Sequence, residues 1–205
     1  KKRLEEDFGV PVVIVNDGEA AGYKLAADVS VAEEEVTNTL YLVLGTAMAS
    51  SYFNKEGKLD NRILHELGNV IIDIAPNAFE HTFTKNRGAA QQYVSQYGVT
   101  NAAKICGIRF PENMPDYAKA KFVGRLLTEP QAVCKEYKLS EDASRLKEKA
   151  EATYRLLGRY IAALVLEMNC ILPVKHVRLT GGVTLGGSDI FIDEARTILT
   201  DANID

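Results

Sequence analysis

Asp17 and Glu66 are the carboxylates of this chain whose settings suit proton transfer, and three glycine-bearing turns could hold a ligand against main chain: Asn16-Asp17-Gly18, Gly45-Thr46 and Gly181-Gly182. A carboxylate can accept the proton of an attacking hydroxyl. A glycine after a strand removes the Cβ that would keep a phosphate or nucleotide at a distance. No turn is a Walker loop, because neither Gly-Lys-Ser nor Gly-Lys-Thr follows, and none carries the dinucleotide fingerprint in a strand–turn–helix setting. Three such turns together with Asp17 and Glu66 favour a phosphoryl-transfer site, in which a carboxylate takes a hydroxyl proton while backbone holds the nucleotide. Each feature also has a structural explanation. Asn16 can cap a helix, with Glu19 three residues on completing a capping-box pair, and glycine ends strands for steric reasons alone.

The residues need elements to position them. Residues 12–15 are an unbroken β-branched run, which predicts a strand covered on both faces and stopping at Asn16-Asp17. A carboxylate and an amide at the carboxyl end of such a strand sit where open α/β sheets bind ligands. Helix formers follow at once and predict a helix ending near Asp28. Residues 1–8 are helix-prone and stop at Gly9, and residues 30–38 form an acidic surface connection. Residues 39–44 predict a second buried strand, and 48–54 a third, turning at Asn54-Lys55-Glu56-Gly57 into a hairpin return. An apolar run over 70–74 is broken at Pro76. From 80 to 138 the pattern becomes helical and irregular, with short helical stretches at 91–96 and 100–106 and helices over 118–127 and 131–137. The longest helix is expected over 141–171, capped by Ser140 and ended by Pro173. Leu146, Ala150, Tyr154, Leu157, Ile161, Leu164, Met168 and Ile171 recur at steps of three and four, so this helix is expected to pack across the sheet. A last strand at 176–180 runs into Gly181-Gly182, and a closing helix spans 189–199.

Composition narrows the function classes. With 205 residues the chain can bury one α/β domain, or a domain with a helical subdomain. A net charge of −4 supplies no basic field for nucleic acid, and no helix-turn-helix or zinc-finger spacing occurs. The longest apolar run, 160–166, falls far short of the ~20 residues that span a bilayer, and Leu4-Glu5-Glu6-Asp7 rules out a signal-peptide core after the first three basic residues. Cys106, Cys134 and Cys170 stand apart without paired spacing, as expected of reduced thiols in a cytoplasmic protein.

These motifs, in this order, resemble the carboxyl-terminal lobe of the ROK family, which groups sugar kinases with sugar-responsive repressors. The resemblance implies an α/β, ribonuclease H-like (actin-like ATPase) lobe over 1–205, a mixed sheet flanked by helices with a helical insertion at about 80–138. Val15-Asn16-Asp17-Gly18-Glu19-Ala20-Ala21 is similar to the family's Asn-Asp-x-x-Ala-Ala segment, whose Asp is the catalytic base. Leu44-Gly45-Thr46 and the Asn54–Leu59 turn resemble its second phosphate loop and hairpin. Glu66-Leu67-Gly68-Asn69 resembles Glu-x-Gly-His, whose Glu and His bind sugar hydroxyls. Asn86-Arg87-Gly88 and Gln92-Tyr93-Val94-Ser95 sit where the family carries a cysteine-rich zinc segment, and Leu179-Thr180-Gly181-Gly182-Val183 resembles the strand and glycines beside the adenosine. The resemblance therefore assigns catalysis to Asp17, sugar contacts to Asn16, Glu66, Asn69 and Gln91, and nucleotide contacts to Gly45, Thr46, Gly181 and Gly182. ATP and Mg²⁺ are the expected cofactors of the intact protein.

The departures matter as much. The family's Gly-Thr-Gly-Ile-Gly-Gly loop reads Gly45-Thr46-Ala47-Met48-Ala49-Ser50 here, so side chains at 47 and 49 are expected to crowd the phosphate. The family's zinc ligands fall on Asn69, Thr82, Thr84 and Ala89, and its glutamate on Gln91, so no structural zinc is expected. His65 and His81 do not substitute for the lost ligands, and His176 reads as structural. No Asp-x-Gly-x-Thr loop occurs and the first residues already match the middle of such a protein. One lobe of a two-lobe protein is the expectation, with its amino-terminal lobe absent and no catalysis by this segment alone. Three functions follow: the sugar-binding and catalytic lobe of an ATP-dependent sugar kinase, a sugar-sensing effector lobe of a transcriptional regulator, or a degenerate lobe serving assembly. The partners expected are a sugar, the first lobe and, from the long helix and family habit, a second copy in a homodimer; neither nucleic acid nor membrane is a partner of this segment.

Overall fold

The structure, a computed structural model, describes residues 1–12, 14–27, 36–60, 62 and 66–204. Val13 of the first expected strand, most of the 30–38 connection and His65 lie outside these residues. A three-stranded mixed sheet organises what is described, in the order β2-β1-β3, with β1 at Thr39–Leu44, β2 at Met48–Phe53 and β3 at His176–Thr180. β1 and β2 form the expected hairpin pair, antiparallel with Leu44 opposite Met48. The return beyond Asn54 is stitched by Gly57, whose N–H donates to the Asn54 carbonyl, and by a bridge from Phe53 to Leu59. β1 and β3 are parallel, with Val43 beside Thr180, so both strands end at the same edge. β2 starts there.

Alternation divides the sheet into two faces. Leu40, Leu42 and Leu44 are fully buried, and with Met48, Tyr52, Val177 and Leu179 they enter the main core. Tyr41 and Phe53 face the other way, with rings 5.1 Å apart. Helix α2, Asp17–Ala26, covers that second face on Gly18 and Gly22, where a Cβ would stand 2.8 Å from the Ser50 carbonyl oxygen and 2.0 Å from Ser51 Oγ. Only hydrogen at both positions lets the helix come this close.

The helices assemble on the leucine face. They are α3 at Gln96–Ile105, α4 at Asp116–Thr128, α5 at Pro130–Tyr137, α6 at Ala143–Asn169 and α7 at Thr184–Thr200. The expected apolar face of α6 is buried from Leu146 through Met168, but Ile171 lies past the helix end and is 75% exposed. Its packing differs from expectation: α6 runs closest along α7 and touches α3, α4 and α5, so it builds a helical layer instead of crossing the strands. The N-cap is also different. Asp142, not Ser140, accepts from the Ser144 and Arg145 amides, because its carboxylate starts the helix two residues later. α7 begins five residues earlier than expected, with a non-helical Gly187 inside it.

The largest correction concerns the first strand. α1, Lys2–Phe8, ends as expected with Gly9 in the left-handed region, but no strand forms among the described residues of 10–16. The Val12 amide donates to Glu5 Oε1 instead of to a neighbouring strand, and Ile14 is 66% exposed. A β-branched run has the propensity for a strand, but becomes one only when a partner strand takes up its backbone groups.

Candidate functional site

The Gly45-Thr46 and Gly181-Gly182 turns lie at one edge of the sheet, where β1 and β3 end and β2 begins, and the segments carrying Asn16, Asp17, Glu66, Asn69 and Gln91 pack near residues 48–50 of β2. The meeting of the two turns follows from strand direction: parallel β1 and β3 deliver their carboxyl ends together, and the antiparallel hairpin returns β2 to the same place.

The turns after β1 and β3 are in contact. Gly181 has φ +105°, a conformation that glycine tolerates, and a Cβ on it would stand 2.5 Å from the Leu44 carbonyl oxygen. That oxygen accepts the Val183 amide at 3.0 Å, which locks the start of α7 onto the end of β1. Gly45 follows, its N–H closed onto the Ala47 carbonyl and its own carbonyl accepting from the Gln96 amide at 2.9 Å. Thr46 Oγ1 donates to Gln96 Oε1 at 3.4 Å, and the Gln96 amide nitrogen lies 3.9 Å from the place of a Cβ on Gly182. Gln96 therefore ties the Gly45-Thr46 turn to the first turn of α3, which Ser95 caps, and its side chain lies beside Gly182. Sequence reading missed it; the signal available was a cap serine directly before it.

The carboxylates approach from the other side of β2. Asn16 caps α2 with Oδ1 accepting from the Gly18 amide at 2.8 Å, while Glu19 Oε2 accepts from the Asn16 amide at 3.3 Å. The capping reading of this stretch is thus realised. Asp17 opens the helix, exposed, where the helix dipole favours a carboxylate. The next residue, Gly18, rests on Ser50. Glu66 is also exposed and also stands one residue from a contact with Ser50, whose Oγ accepts from the Leu67 amide at 3.4 Å. A short 3₁₀ turn over Leu67–Asn69 brings Gly68 against the Met48 carbonyl and against Gln91 Oε1, with an added Cβ 3.4 and 3.3 Å away. Asp17, Glu66, Asn69 and Gln91 thus surround residues 48–50, and the capping of Asn16 leaves its amide nitrogen for other work.

The altered loop crowds the site less than its sequence implies. Ala49 turns its methyl toward Gly18, 3.0 Å from an added Cβ, so it serves the α2 contact; of the two alanines only Ala47 is exposed, beside Thr46 at the turn. In the segment of the family's zinc ligands, His81 is buried and its Nδ1 accepts from the Phe83 and Thr84 amides at 3.2 and 3.1 Å. A side chain thus closes this turn. Among the described residues no three His, Cys, Asp or Glu side chains gather as metal ligands, and no helix is long and apolar enough to cross a membrane.

The paired turns open onto a cleft of about 380 Å³ between α3, α4 and α7, bordered by Gln96, Tyr117, Gly124, Tyr154, Gly182 and Gly186. A second cleft of about 330 Å³ adjoins it across Gln96 and Tyr117 and reaches Thr46. Both fall near the range of small-molecule sites. A larger hollow of about 580 Å³, around Gly107, Arg145 and Lys149 beyond the far end of α3, takes no part in the convergence. The arrangement offers an exposed acid–base edge, a glycine-lined turn pair and an adjoining cleft.

A profile of the ROK family matches residues 1–196. Against curated proteins the chain has no match. Among solved structures it is similar to a ROK family glucokinase from Streptomyces griseus in complex with glucose and AMPPNP, at 19% identity and TM-score 0.65 over 100% of this chain and 62% of that one. It is similar to a ROK hexokinase from Thermus thermophilus, at 20% identity and TM-score 0.66 over 98% of this chain and 60% of that one. A ROK family transcriptional regulator, homolog of the E. coli MLC protein, is 15% identical with TM-score 0.67 over 100% of this chain and 49% of that one. The chain thus spans about three fifths of the two kinases and half of the regulator. At these identities the likeness shows the fold, which is the actin-like, ribonuclease H-like one expected.

Proposed function

The chain belongs to the ROK family, and from that membership we propose that it is the carboxyl-terminal, sugar-binding and catalytic lobe of an ATP-dependent sugar kinase. The observation that carries this reading is the pair of glycine turns at one sheet edge, with the neighbours of two exposed carboxylates, Gly18 and Leu67, both packed on Ser50 of β2. Asp17 takes the proton of the sugar hydroxyl that attacks the γ-phosphate, while Asn16, Glu66, Asn69 and Gln91 hold other hydroxyls. Gly45 and Thr46 face the phosphates, and Gly181 and Gly182 lie on the adenosine side. The glycine-only conformation at Gly181 and the cleft beside Gly182 suit a nucleotide, and bound Mg²⁺ would neutralise its phosphates. The sugar complexes among the relatives, with glucose and with sucrose, favour a carbohydrate as the acceptor. An amino-terminal lobe completes the cleft in this reading.

In the two-lobe protein Asp17→Asn lowers turnover of the best sugar at least ~100-fold, since a positioned base contributes about 10²–10⁴, with sugar affinity held within a few-fold. Steady-state phosphorylation and sugar titration measure the two. Phosphorylation that survives the change almost undiminished would remove Asp17 from the chemistry. A second reading, the effector lobe of a sugar-responsive regulator, is favoured by Ala47 at the phosphate turn; it predicts sugar binding without ATP consumption.

A further inference from the structure

The cleft beside Gly182 contains a polar group that the sheet edge does not use. Tyr154 lies midway along α6, is 2% exposed and borders the cleft, yet no residue described here hydrogen-bonds its hydroxyl. The ring is buried while the hydroxyl reaches the cleft wall without a protein partner, which leaves it to be paired by water or by whatever enters that space.

Its surroundings are shaped for it. The ring stacks on Phe191 at an interplanar angle of 22°. Three glycines from two other helices frame it: a Cβ on Gly186 would stand 2.4 Å from the hydroxyl, one on Gly187 2.8 Å from the ring, and one on Gly124 3.3 Å from the hydroxyl. A side chain at 186 would occupy the space of the hydroxyl itself. Burial raises the phenol above its ordinary range, so it stays neutral and offers both a proton and lone pairs. The opposite border is apolar and open to solvent, with Tyr117 78% and Leu185 90% exposed. Exposed aromatic and aliphatic side chains beside a buried hydroxyl suit a flat heteroaromatic ring, which stacks on its faces and hydrogen-bonds at its edge.

Gly182 and Gly186 border the same cleft, one just ahead of α7 and the other in its first turn. A nucleotide with its phosphates at Gly45 and its adenosine side at Gly182 therefore reaches Gly186 with its base. We propose that the Tyr154 hydroxyl hydrogen-bonds the edge of the nucleotide base and is a specificity-determining residue of this site, an inference that rests on the kinase reading. No member of the sequence pattern marked it, because at 154 the helical period reads only as core.

Tyr154→Phe, which keeps the ring and removes one oxygen, tests this in the full-length protein. Calorimetric titration with ADP, GDP and inorganic tripolyphosphate provides the readout, with a melting curve for each variant. Tyr154→Phe is expected to weaken ADP about tenfold, to shift the ADP-to-GDP preference and to leave tripolyphosphate unchanged. Gly186→Ala, whose methyl displaces the hydroxyl, weakens ADP similarly alone but adds little in the Tyr154→Phe background. Unchanged ADP affinity, an unchanged ADP-to-GDP ratio, or an equal loss of tripolyphosphate overturns the proposal. Failure of the wild-type protein to bind any of the three overturns the nucleotide reading itself, a separate result from the first set.

Discussion

At the scale of single residues, the site is made of side chains with two duties. Asn16 shows this most plainly, since its Oδ1 is committed to the Gly18 amide as a helix cap while its amide nitrogen is the proposed sugar contact. The duties separate by substitution. Asn16→Ser keeps a hydroxyl that caps nearly as well, so the melting point should stay close to wild type, whereas Asn16→Ala should cost about 1 kcal/mol. If the amide holds a sugar hydroxyl, both variants lose sugar affinity, by about tenfold, and the Ser variant does so without losing stability. A Ser variant that binds sugar as tightly as wild type leaves Asn16 as a cap and nothing more. Ala49 carries a similar lesson: in sequence it stands in the phosphate loop, but its methyl packs under α2.

Elements were legible where their evidence is local and obscure where it lies elsewhere in the chain. The hairpin of β1 and β2, the strand at 176–180 and the long α6 follow from periodicity and turn residues that neighbour one another. The run over 12–15 has the same local signature but lacks the partner strand, which no local pattern reports. The α6 face was visible, but which layer covers it depends on α7, a separate helix beyond β3. Gln96 and Tyr154 were missed for that reason too: each becomes a site residue only through contacts with distant turns. The α6–α7 pair makes its own prediction. Glu194 on α7 accepts from Arg159 at 2.7 Å and from Arg155 at 3.5 Å on α6, and the Arg159 bond holds its carboxyl below the ordinary range. Between that lowered value and the ordinary glutamate value of about 4.3, the unfolded chain binds more protons than the folded one. This contribution is therefore present above the ordinary value and lost as pH falls through the folded one. Both arginines are largely solvent-exposed, which limits it to no more than about 1 kcal/mol. Melting measured between pH ~5 and pH ~3 should fall more steeply for wild type than for Glu194→Gln; parallel curves would mean that the clamp does not couple the helices.

For the whole molecule, the surface left bare by the missing strand is the informative feature. Phe8, Val10, Ile14 and Val15 are 70%, 55%, 66% and 42% exposed, close in sequence and just ahead of the catalytic candidate. Apolar β-formers gathered this way are expected to be covered when their partner is present. In the kinase reading that partner is the amino-terminal lobe, and pairing there would fix the approach of Asp17 to the closed cleft. Ile14→Asp discriminates. In the 205-residue chain the side chain touches mostly water, so the substitution should change stability by no more than about 0.5 kcal/mol. In the two-lobe protein the same aspartate would be buried against the first lobe, lowering its melting point and its turnover together. Hydrogen exchange at the amides of Val10, Ile14 and Val15 adds a direct view, fast in the isolated chain and slowed when the lobe is attached. Equal exchange in both forms, with Ile14→Asp harmless in both, would detach this segment from the lobe interface and leave Asp17 held by the α2 cap alone.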